Sequence, residues 1–550
     1  MVNSRTDKGY KDFHEHLEAL EAEGLLTTIN QPVNKDTELH PLVRWQFRGG
    51  IPENQRKAFR FTNVIDSKGR TFDMPVVVGA LSTNPAIYSI GMGVPLEDIG
   101  NRWNDAITNP IDPVTVENAP CQEIIMEGDQ LRGEGKGLDA LPVPISTPGY
   151  DSAPYLTATN VTTRNPETGT QNMGTYRAGL KASDRLALRM VARPGGAEGH
   201  MHWEMWKKMG QKMPCAIVVG CPPPVAYVGP QKLPVGVEEM AVAGGLVGKA
   251  IRQVKCKTVD LLVPAESELV IEGLVDVEIL EPEAPFAESH GHVALEDYNC
   301  VMEVTAITHR RDAVFTSIIS QLTPSESSVI KRIAYEPIYL SHLRDTLGIK
   351  GVKRVYLHEA LTNLRKILFI QIERGVPTTE VWRALYGCSN LAAAIGKYVI
   401  AVDEDIDPEN GDSIFWALAY RSNPALDIQI LKHKVRYGPK DPRTINGEES
   451  ICLIDATLKA DMPPIALPKR EYMEAARDLW DKLGLPPLKP ESPWHGYSLG
   501  DWNSEWDEMA KRAAQGDYLE NGRRSAQYRR SDVAPNTSVR GLPGGPFDGV

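Results

Sequence analysis

Apolar residues recur at helical spacing early in the chain. Phe13, Leu17 and Leu20, with Glu and His between them, predict an amphipathic helix over about residues 10–25. The run Pro75-Val-Val-Val-Gly-Ala80 predicts a buried strand. Asp139-Ala-Leu-Pro-Val-Pro-Ile-Ser-Thr-Pro148 is too rich in proline to be helical, and a domain boundary is placed before it. From there the pattern turns strand-like. Tyr155–Thr163 is rich in Thr and Val, Cys215–Gly220 is a short apolar run, and Leu269–Leu280 carries β-branched residues in partial alternation. Asn165-Pro-Glu-Thr-Gly169 is a hairpin turn signal. Several strands at short spacing predict a barrel-like middle domain. Beyond about residue 325, strands at Arg354–Leu357, Ile367–Ile372 and Tyr398–Val402 alternate with helices at Thr378–Leu385 and Ser413–Ala419, which is α/β behaviour. Two late amphipathic helices follow, at about 470–483 and 502–514, the second with Trp502, Trp506 and Met509 on one stripe.

The expected architecture is therefore a multidomain α+β or α/β chain. Residues 1–120 form an N-terminal α/β domain and 121–325 the β-rich middle domain. Residues 326–500 form a C-terminal α/β domain, and 501–550 a helix and tail that could serve as an oligomerisation arm. At 550 residues the chain exceeds one core, and about three domains are expected. Past Gln515 the composition, rich in Arg, Gly, Pro and Ser, predicts disorder or an arm ordered by a partner.

A net charge of −12 excludes a general nucleic-acid binder but leaves room for a small anion held by one or two arginines. The polar N-terminal residues carry no secretory pattern, and no apolar run is long enough for a membrane span. Seven scattered cysteines without a CxxC pair predict reduced, buried thiols and a cytoplasmic location.

Four segments carry candidate chemistry. Glu281-Pro-Glu-Ala-Pro-Phe-Ala-Glu-Ser-His-Gly-His292 puts Glu283 and Glu288 on either side of an apolar stretch, the way proteins separate an acid from a base. Asn172-Met-Gly-Thr-Tyr-Arg177 offers an amide oxygen, backbone groups near a glycine, and an arginine suited to bidentate carboxylate or phosphate contact. Pro194-Gly-Gly-Ala-Glu-Gly-His-Met-His202 combines a phosphate-friendly glycine pattern with Glu198, His200 and His202 as possible metal ligands. Pro234-Val-Gly-Val-Glu-Glu-Met240 leads into a helix with Glu238 and Glu239 in its first turn. Taken singly, each also fits a structural role: solvated glutamates, an ion pair, surface histidines, a capped helix start.

In this order and spacing the segments resemble the UbiD family of prenylated-flavin-dependent decarboxylases. The carrying strings are Asn172–Arg177, Gly236-Val-Glu-Glu239, Val254-Lys-Cys-Lys-Thr-Val-Asp-Leu-Leu-Val-Pro264, Ser267-Glu-Leu-Val-Ile-Glu-Gly273 and Glu283-Ala-Pro-Phe-Ala-Glu-Ser-His-Gly291. The resemblance implies a central split β-barrel that binds prenylated FMN, whose phosphate is held through a divalent metal, usually Mn²⁺, with K⁺ nearby. Asn172, Met173, Gly174, Thr175, Tyr176 and Arg177 then belong to the cofactor site. Asn172 and Glu239 match two metal ligands by position. An ungapped alignment back from Met205-Trp-Lys-Lys208 places Glu198 as the third ligand, where the family usually has histidine; a two-residue shift would place His200 instead. Arg177, Glu283 and Glu288 match a catalytic Glu-Arg-Glu network, with Glu288 as the acid that protonates the carbon losing CO₂ and Glu283 as the ionised partner. The flavin serves as electron sink, and the acid contributes typically about 10²–10⁴-fold. On an ideal strand, residues five apart face opposite ways, so Pro282 and Pro285 must bend the segment if both acids are to reach Arg177.

The wording Gly174-Thr-Tyr-Arg177 resembles the branch acting on aromatic and heteroaromatic carboxylates. Ile330 and Leu391 stand where relatives acting on phenolic acids carry polar residues, which favours an indole, pyrrole or fused-ring acid over a catechol. The implied partners are that acid, CO₂, a flavin prenyltransferase that supplies the cofactor, and a second copy of the chain in a homodimer or larger even assembly. Two other classes remain open: an FMN-dependent oxidoreductase, for which no dinucleotide fingerprint is present, and a non-catalytic flavin-binding subunit.

Overall fold

The computed structural model describes residues 8–190, 197–231, 233, 237–283, 285–294, 297–391, 396–435, 448–459, 465–490, 504–539 and 542–544. The chain divides into two units, one of Met1–Glu404 with Ser422–Ala456, the other of Asp405–Arg421 with Thr457–Val550.

The first unit is built around an antiparallel sheet. Its strands run in the order Gln171–Gly174, Thr159–Arg164, Met213–Val219, Leu269–Pro282, Tyr298–His309, Arg185–Leu188, Ala178–Ala182 and Tyr155–Leu156, and a ninth strand, Ile124–Glu127, also pairs with Tyr298–His309. The two longest strands form its spine, with register shifts between Glu272 and Gly273 and between Val275 and Leu280. The first shift needs a glycine, because a Cβ on Gly273 would stand 2.2 Å from the Glu303 carbonyl oxygen. The inward residues Val161, Ile217, Ile271, Val275, Met302 and Ile307 are buried in one hydrophobic cluster.

N-terminal to this sheet, Asp12 caps the helix Phe13–Ala22 in a capping box with Glu15, and Phe13, Leu17 and Leu20 are buried as the periodicity requires. The buried strand Val76–Val78 pairs antiparallel with Ala58–Phe61 and parallel with Phe315–Ser317. The chain leaving the large sheet thus returns to complete the N-terminal one. Ser325 then caps the long helix Glu326–Ser341. A mixed five-stranded sheet follows, in the order Val352–Leu357, Ile367–Ile372, Tyr398–Asp403, Glu448–Ala456 and Ile428–Val435. Thr378–Asn390 is the helix expected there.

The second unit contains the helices Gly411–Arg421, Arg470–Lys482, Ser504–Ala514 and Tyr518–Ser525. Lys469 pairs with Asp507, and Asn521 bonds Arg512 Nε and the Met509 carbonyl at 2.8 and 2.7 Å. The last helix corrects the expectation of disorder past Gln515. Asn521 supplies the contact that folds Tyr518–Ser525 back onto its predecessor. Of the expected tryptophan stripe, Trp506 is half-buried and Trp502 lies outside the described residues. Among the described residues no helix is long and apolar enough to cross a membrane. All seven cysteines are free, and six are buried.

Candidate active site

The hairpin around Asn165–Gly169 sets the site. The Asn165 side chain accepts the Glu167 and Thr168 N–H groups, which turns Thr159–Arg164 into Gln171–Gly174. The strand then breaks for Thr175, Tyr176 and Arg177 before Ala178–Ala182 begins. Two bonds hold this break: Thr175 N to the Gly229 carbonyl at 3.2 Å, and Thr159 Oγ1 to the Tyr176 carbonyl at 2.6 Å. Gly174 leaves room for the Tyr176 ring, since a Cβ there would stand 2.3 Å from the Tyr176 hydroxyl and force the ring to move.

Arg177 emerges from the break between the two acids of the paired-carboxylate segment. Its Nε and Nη2 donate to both oxygens of Glu283 at 2.6 and 2.8 Å, and its Nη1 donates to Glu288 Oε1. The guanidinium also lies 4.8 Å from the centroid of Phe286, which packs 4.2 Å from Tyr155. The strand that leads to these acids ends at Pro282, before either of them, so Glu283 and Glu288 are not bound to alternate faces. Glu283 is buried, with 5% of its side chain exposed, whereas Glu288 keeps 24%. A second guanidinium, Arg189, stands 3.6 Å from Glu283 and pairs with Asp297 at 2.6 Å.

Arg189 was not singled out by sequence reasoning. Its place depends on strand pairing, through its N–H bonding the Arg177 carbonyl at 3.0 Å, and no local pattern reveals that. Asp151 was missed as well. Burial pushes its carboxyl up to about 6, against the Ala287, Thr147 and Ser146 N–H groups and the charge of Arg177. His290 was noted only as part of the acid segment. Burial, then His292 and Arg177, hold it down to about 4, so it is a neutral imidazole near the site at pH 7.

A second group of oxygens lies on the other side of the hairpin. Asn172, Met173 and Glu239, with Gln171, Glu238 and Gln253, line a small recess of about 20 Å³. Glu239 opens the helix Glu239–Val247 and accepts the Met173 N–H at 2.9 Å. Burial pushes its carboxyl up to about 7, helped by the nearby charges of Glu198 and Glu238 and opposed by the Met173 N–H. Glu198 opens the helix Glu198–Lys208, and burial raises its carboxyl too. His202 stands 3.8 Å from Glu198, bonds Thr163 at 2.9 Å, and is held down to about 4 by burial. His200 instead packs its ring 5.6 Å from that of Trp203. Gly195, Gly196 and Pro234–Gly236 lie outside the described residues.

Among the described residues, no three His, Cys, Asp or Glu side chains stand close enough to hold a metal. The expected set contains two carboxylates and an amide. Those residues offer a hard cation an amide oxygen and two acids whose carboxyls burial pushes up, so that a bound cation would stabilise their ionised forms. Ile330 is buried in the main core cluster, and Leu391 packs against that cluster.

Comparison with known proteins covers both halves of this arrangement. The UbiD model, described as the 3-octaprenyl-4-hydroxybenzoate carboxy-lyase Rift-related domain, matches residues 113–322, and that of the 3-octaprenyl-4-hydroxybenzoate carboxy-lyase C-terminal domain matches residues 329–456. The chain is 28% identical over 527 residues to the uncharacterized protein sll0936 of Synechocystis sp., spanning 90% of this chain and 97% of that one. The structure of HmfF, a UbiD-class enzyme of Pelotomaculum thermopropionicum, in complex with FMN superposes with a TM-score of 0.73 at 27% identity, covering 84% of this chain and 99% of HmfF. An evolved dimeric form of HmfF in complex with prFMN gives 0.71 at 27% identity, covering 83% and 97%. The closed form of Sedimentibacter hydroxybenzoicus vanillic acid decarboxylase shares the fold, with a TM-score of 0.69 at 24% identity over 92% of this chain and 99% of that one.

Proposed function

The chain belongs to the UbiD family of carboxy-lyases, and on that premise we propose that it catalyses the reversible, non-oxidative decarboxylation of an aromatic or heteroaromatic carboxylic acid with prenylated FMN as its cofactor. The observation that carries this reading is the Glu283–Arg177–Glu288 cluster, in which one guanidinium binds two acids beside an aromatic wall. Solved HmfF structures that hold FMN or prFMN support the cofactor. The nine-stranded antiparallel sheet supports a central split barrel between N- and C-terminal α/β domains.

When bound, the prenylated flavin supplies an electron sink for the electron pair left by CO₂. The chain's own residues do the rest. Asn172, Glu198 and Glu239 would hold Mn²⁺ or another divalent ion, which together with K⁺ would neutralise the charge of the cofactor phosphate. The Glu198–Glu239 proximity supports Glu198 over His200 as the third ligand. Met173, Gly174, Thr175 and Tyr176 form the adjoining wall. Glu283, buried and bound through both oxygens, fixes the plane of Arg177. Arg177 in turn holds Glu288, the more exposed acid, which delivers its proton to the carbon that has lost CO₂. An indole, pyrrole or fused-ring acid is favoured over one with catechol hydroxyls by the resemblance at Ile330 and Leu391 alone, since both side chains pack with the hydrophobic core. The proposal includes supply of the cofactor by a flavin prenyltransferase, an even homo-oligomer, and a reducing cytoplasm consistent with the free cysteines.

The test is co-expression with a flavin prenyltransferase, anaerobic purification, and turnover of a panel of aromatic acids in deuterated buffer. CO₂ release with one deuterium at the former carboxyl carbon is expected, and Glu288→Gln should lose that label. Oxidation of NAD(P)H without CO₂ release would replace the proposal with an oxidoreductase. Faster turnover of protocatechuate than of indole-3-carboxylate or pyrrole-2-carboxylate would overturn the substrate class alone.

A further inference from the structure

Glu288 sits at the mouth of a narrow hairpin. Phe286–Ala287 pairs with Val293–Ala294, Glu288 N bonds the His292 carbonyl at 3.0 Å, and residues 289–292 turn between them. A two-residue ladder is too short to be stable alone. Its outer edge needs a partner, and that partner is the loop Ser146–Ser152. Asp151 Oδ1 accepts the Ala287 N–H at 3.0 Å, and Ser152 N bonds the Pro285 carbonyl at 3.3 Å. The carboxylate is itself fixed, because Asp151 Oδ2 accepts the Thr147 N–H at 2.7 Å. Gln321 braces the loop from behind, donating to the Ser146 carbonyl at 2.7 Å and to Thr147 Oγ1 at 2.6 Å.

We infer that Asp151 is a positioning residue for the proton donor: its carboxylate clamps the peptide N–H immediately before Glu288 and so fixes where the Glu288 carboxyl meets the substrate carbon. The inference rests on the role proposed for Glu288. A side-chain acceptor is needed there because, among the described residues, Ala287 has no neighbouring strand on that side, and an unpaired N–H would be left in the buried site wall. Arg177 grips Glu288 from its carboxylate end, while Asp151 grips it from its backbone end. The two are complementary, since a bond at one end alone leaves the side chain free to swing about the other. Asp151 lies close enough to Arg177 to feel its charge, so the clamp and the acid pair share one electrostatic environment. A shift of about 1 Å in a catalytic group can cost on the order of 10²-fold in rate.

The experiment uses the flavin-loaded full chain with whichever acid of the panel it turns over. Asp151→Ala, Asp151→Asn and Glu288→Gln are compared for kcat and KM per flavin-loaded enzyme. Flavin and metal content, melting temperature and the rate of product C–H exchange with deuterated solvent are read alongside. Asp151→Ala should lower kcat and C–H exchange together by about 10- to 100-fold, with KM, flavin content and metal content within two-fold of wild type. Asp151→Asn keeps one oxygen for Ala287 N and should recover a large part of both rates. A kcat per loaded enzyme within two-fold of wild type in Asp151→Ala would overturn the inference. So would a loss shared by flavin content and melting temperature that disappears on normalisation. Full activity and label in Glu288→Gln would instead remove the reading on which the inference rests, whatever Asp151→Ala does.

Discussion

Replacing Arg177 by lysine separates the geometry of the guanidinium from its charge. Arg177 makes three charge-assisted bonds, two to Glu283 at 2.6 and 2.8 Å and one to Glu288. Only 11% of its side chain is exposed, so water cannot replace lost partners freely. A lysine ammonium is a point charge that cannot span both oxygens of Glu283 in plane and still reach Glu288. At least one of the three bonds is therefore lost, and the two acids lose their fixed mutual orientation. A hydrogen bond to a charged group is worth about 1.5–3 kcal/mol. If that loss falls on the transition state, turnover drops by roughly 10–150-fold, at about 1.4 kcal/mol per decade. The positive charge remains between the acids, so folding should suffer far less than with Arg177→Met, which leaves the buried Glu283 with only the more distant Arg189 at 3.6 Å and costs up to about 3–5 kcal/mol. Initial rates of CO₂ release per flavin-loaded enzyme, alongside melting curves of both variants, measure the two effects. An Arg177→Lys enzyme within three-fold of wild type would refute the argument that bidentate geometry, and not charge, organises the acids.

Four further outcomes follow from other parts of the molecule. In the metal-free protein the Glu239 carboxyl holds its proton up to about pH 7, and a cation binds the ionised form. Mn²⁺ affinity by calorimetry should therefore fall by up to about ten-fold per pH unit below 7 and level off above it, and a flat profile from pH 5.5 to 8 would refute the placement. The same retained proton means that Glu239 makes the metal-free fold lose stability as pH rises from its ordinary value of 4.5 towards about 7, because the unfolded chain has already released it. Gly273→Ala forces a methyl group against the Glu303 carbonyl at the spine of the large sheet, and should destabilise by about 1–3 kcal/mol in denaturant titrations. Truncation after Gln515 removes the helix Tyr518–Ser525, and loss of the oligomer by light scattering would assign that helix to the interface, whereas an unchanged mass would exclude it.

Local patterns made much of the fold legible. Phe13, Leu17 and Leu20 announced a helix that buries those same residues, and Asn165–Gly169 announced a hairpin whose register follows from its turn. What remained hidden was non-local. Arg189 reaches Glu283 because two strands pair, and Phe315–Ser317 closes a sheet more than two hundred residues earlier in the chain. Glu326 opens its helix as a fully buried acid that accepts the N–H groups of Gly79, Leu81, Ser82 and Ile319, a role its polar letter argues against. Asp151 sits in a Pro-Gly turn, and a turn aspartate reads as solvated unless the chain that needs its oxygen is already in view. Periodicity reports which face of an element is buried, whereas a clamp or an ion pair between distant segments leaves no periodic trace.

The two halves of the proposed site hang on one short piece of backbone. Asn172 faces the recess shared with Glu239, and five residues later Arg177 faces the acids. The break between them is held from both flanks, by Gly229 and Thr159, and backed by the strand Thr159–Arg164, which is paired on both sides in the large sheet. The separation between Asn172 and Arg177 is therefore set by covalent geometry on a rigid element, which is where catalytic precision is best placed. Glu288 has no such backing. It rides a two-residue ladder, joined to the rigid half through Arg177 at one end and Asp151 at the other. Of the groups in the proposed reaction it is thus the one whose position depends on side-chain bonds, and the one whose rate contribution single substitutions elsewhere should move most.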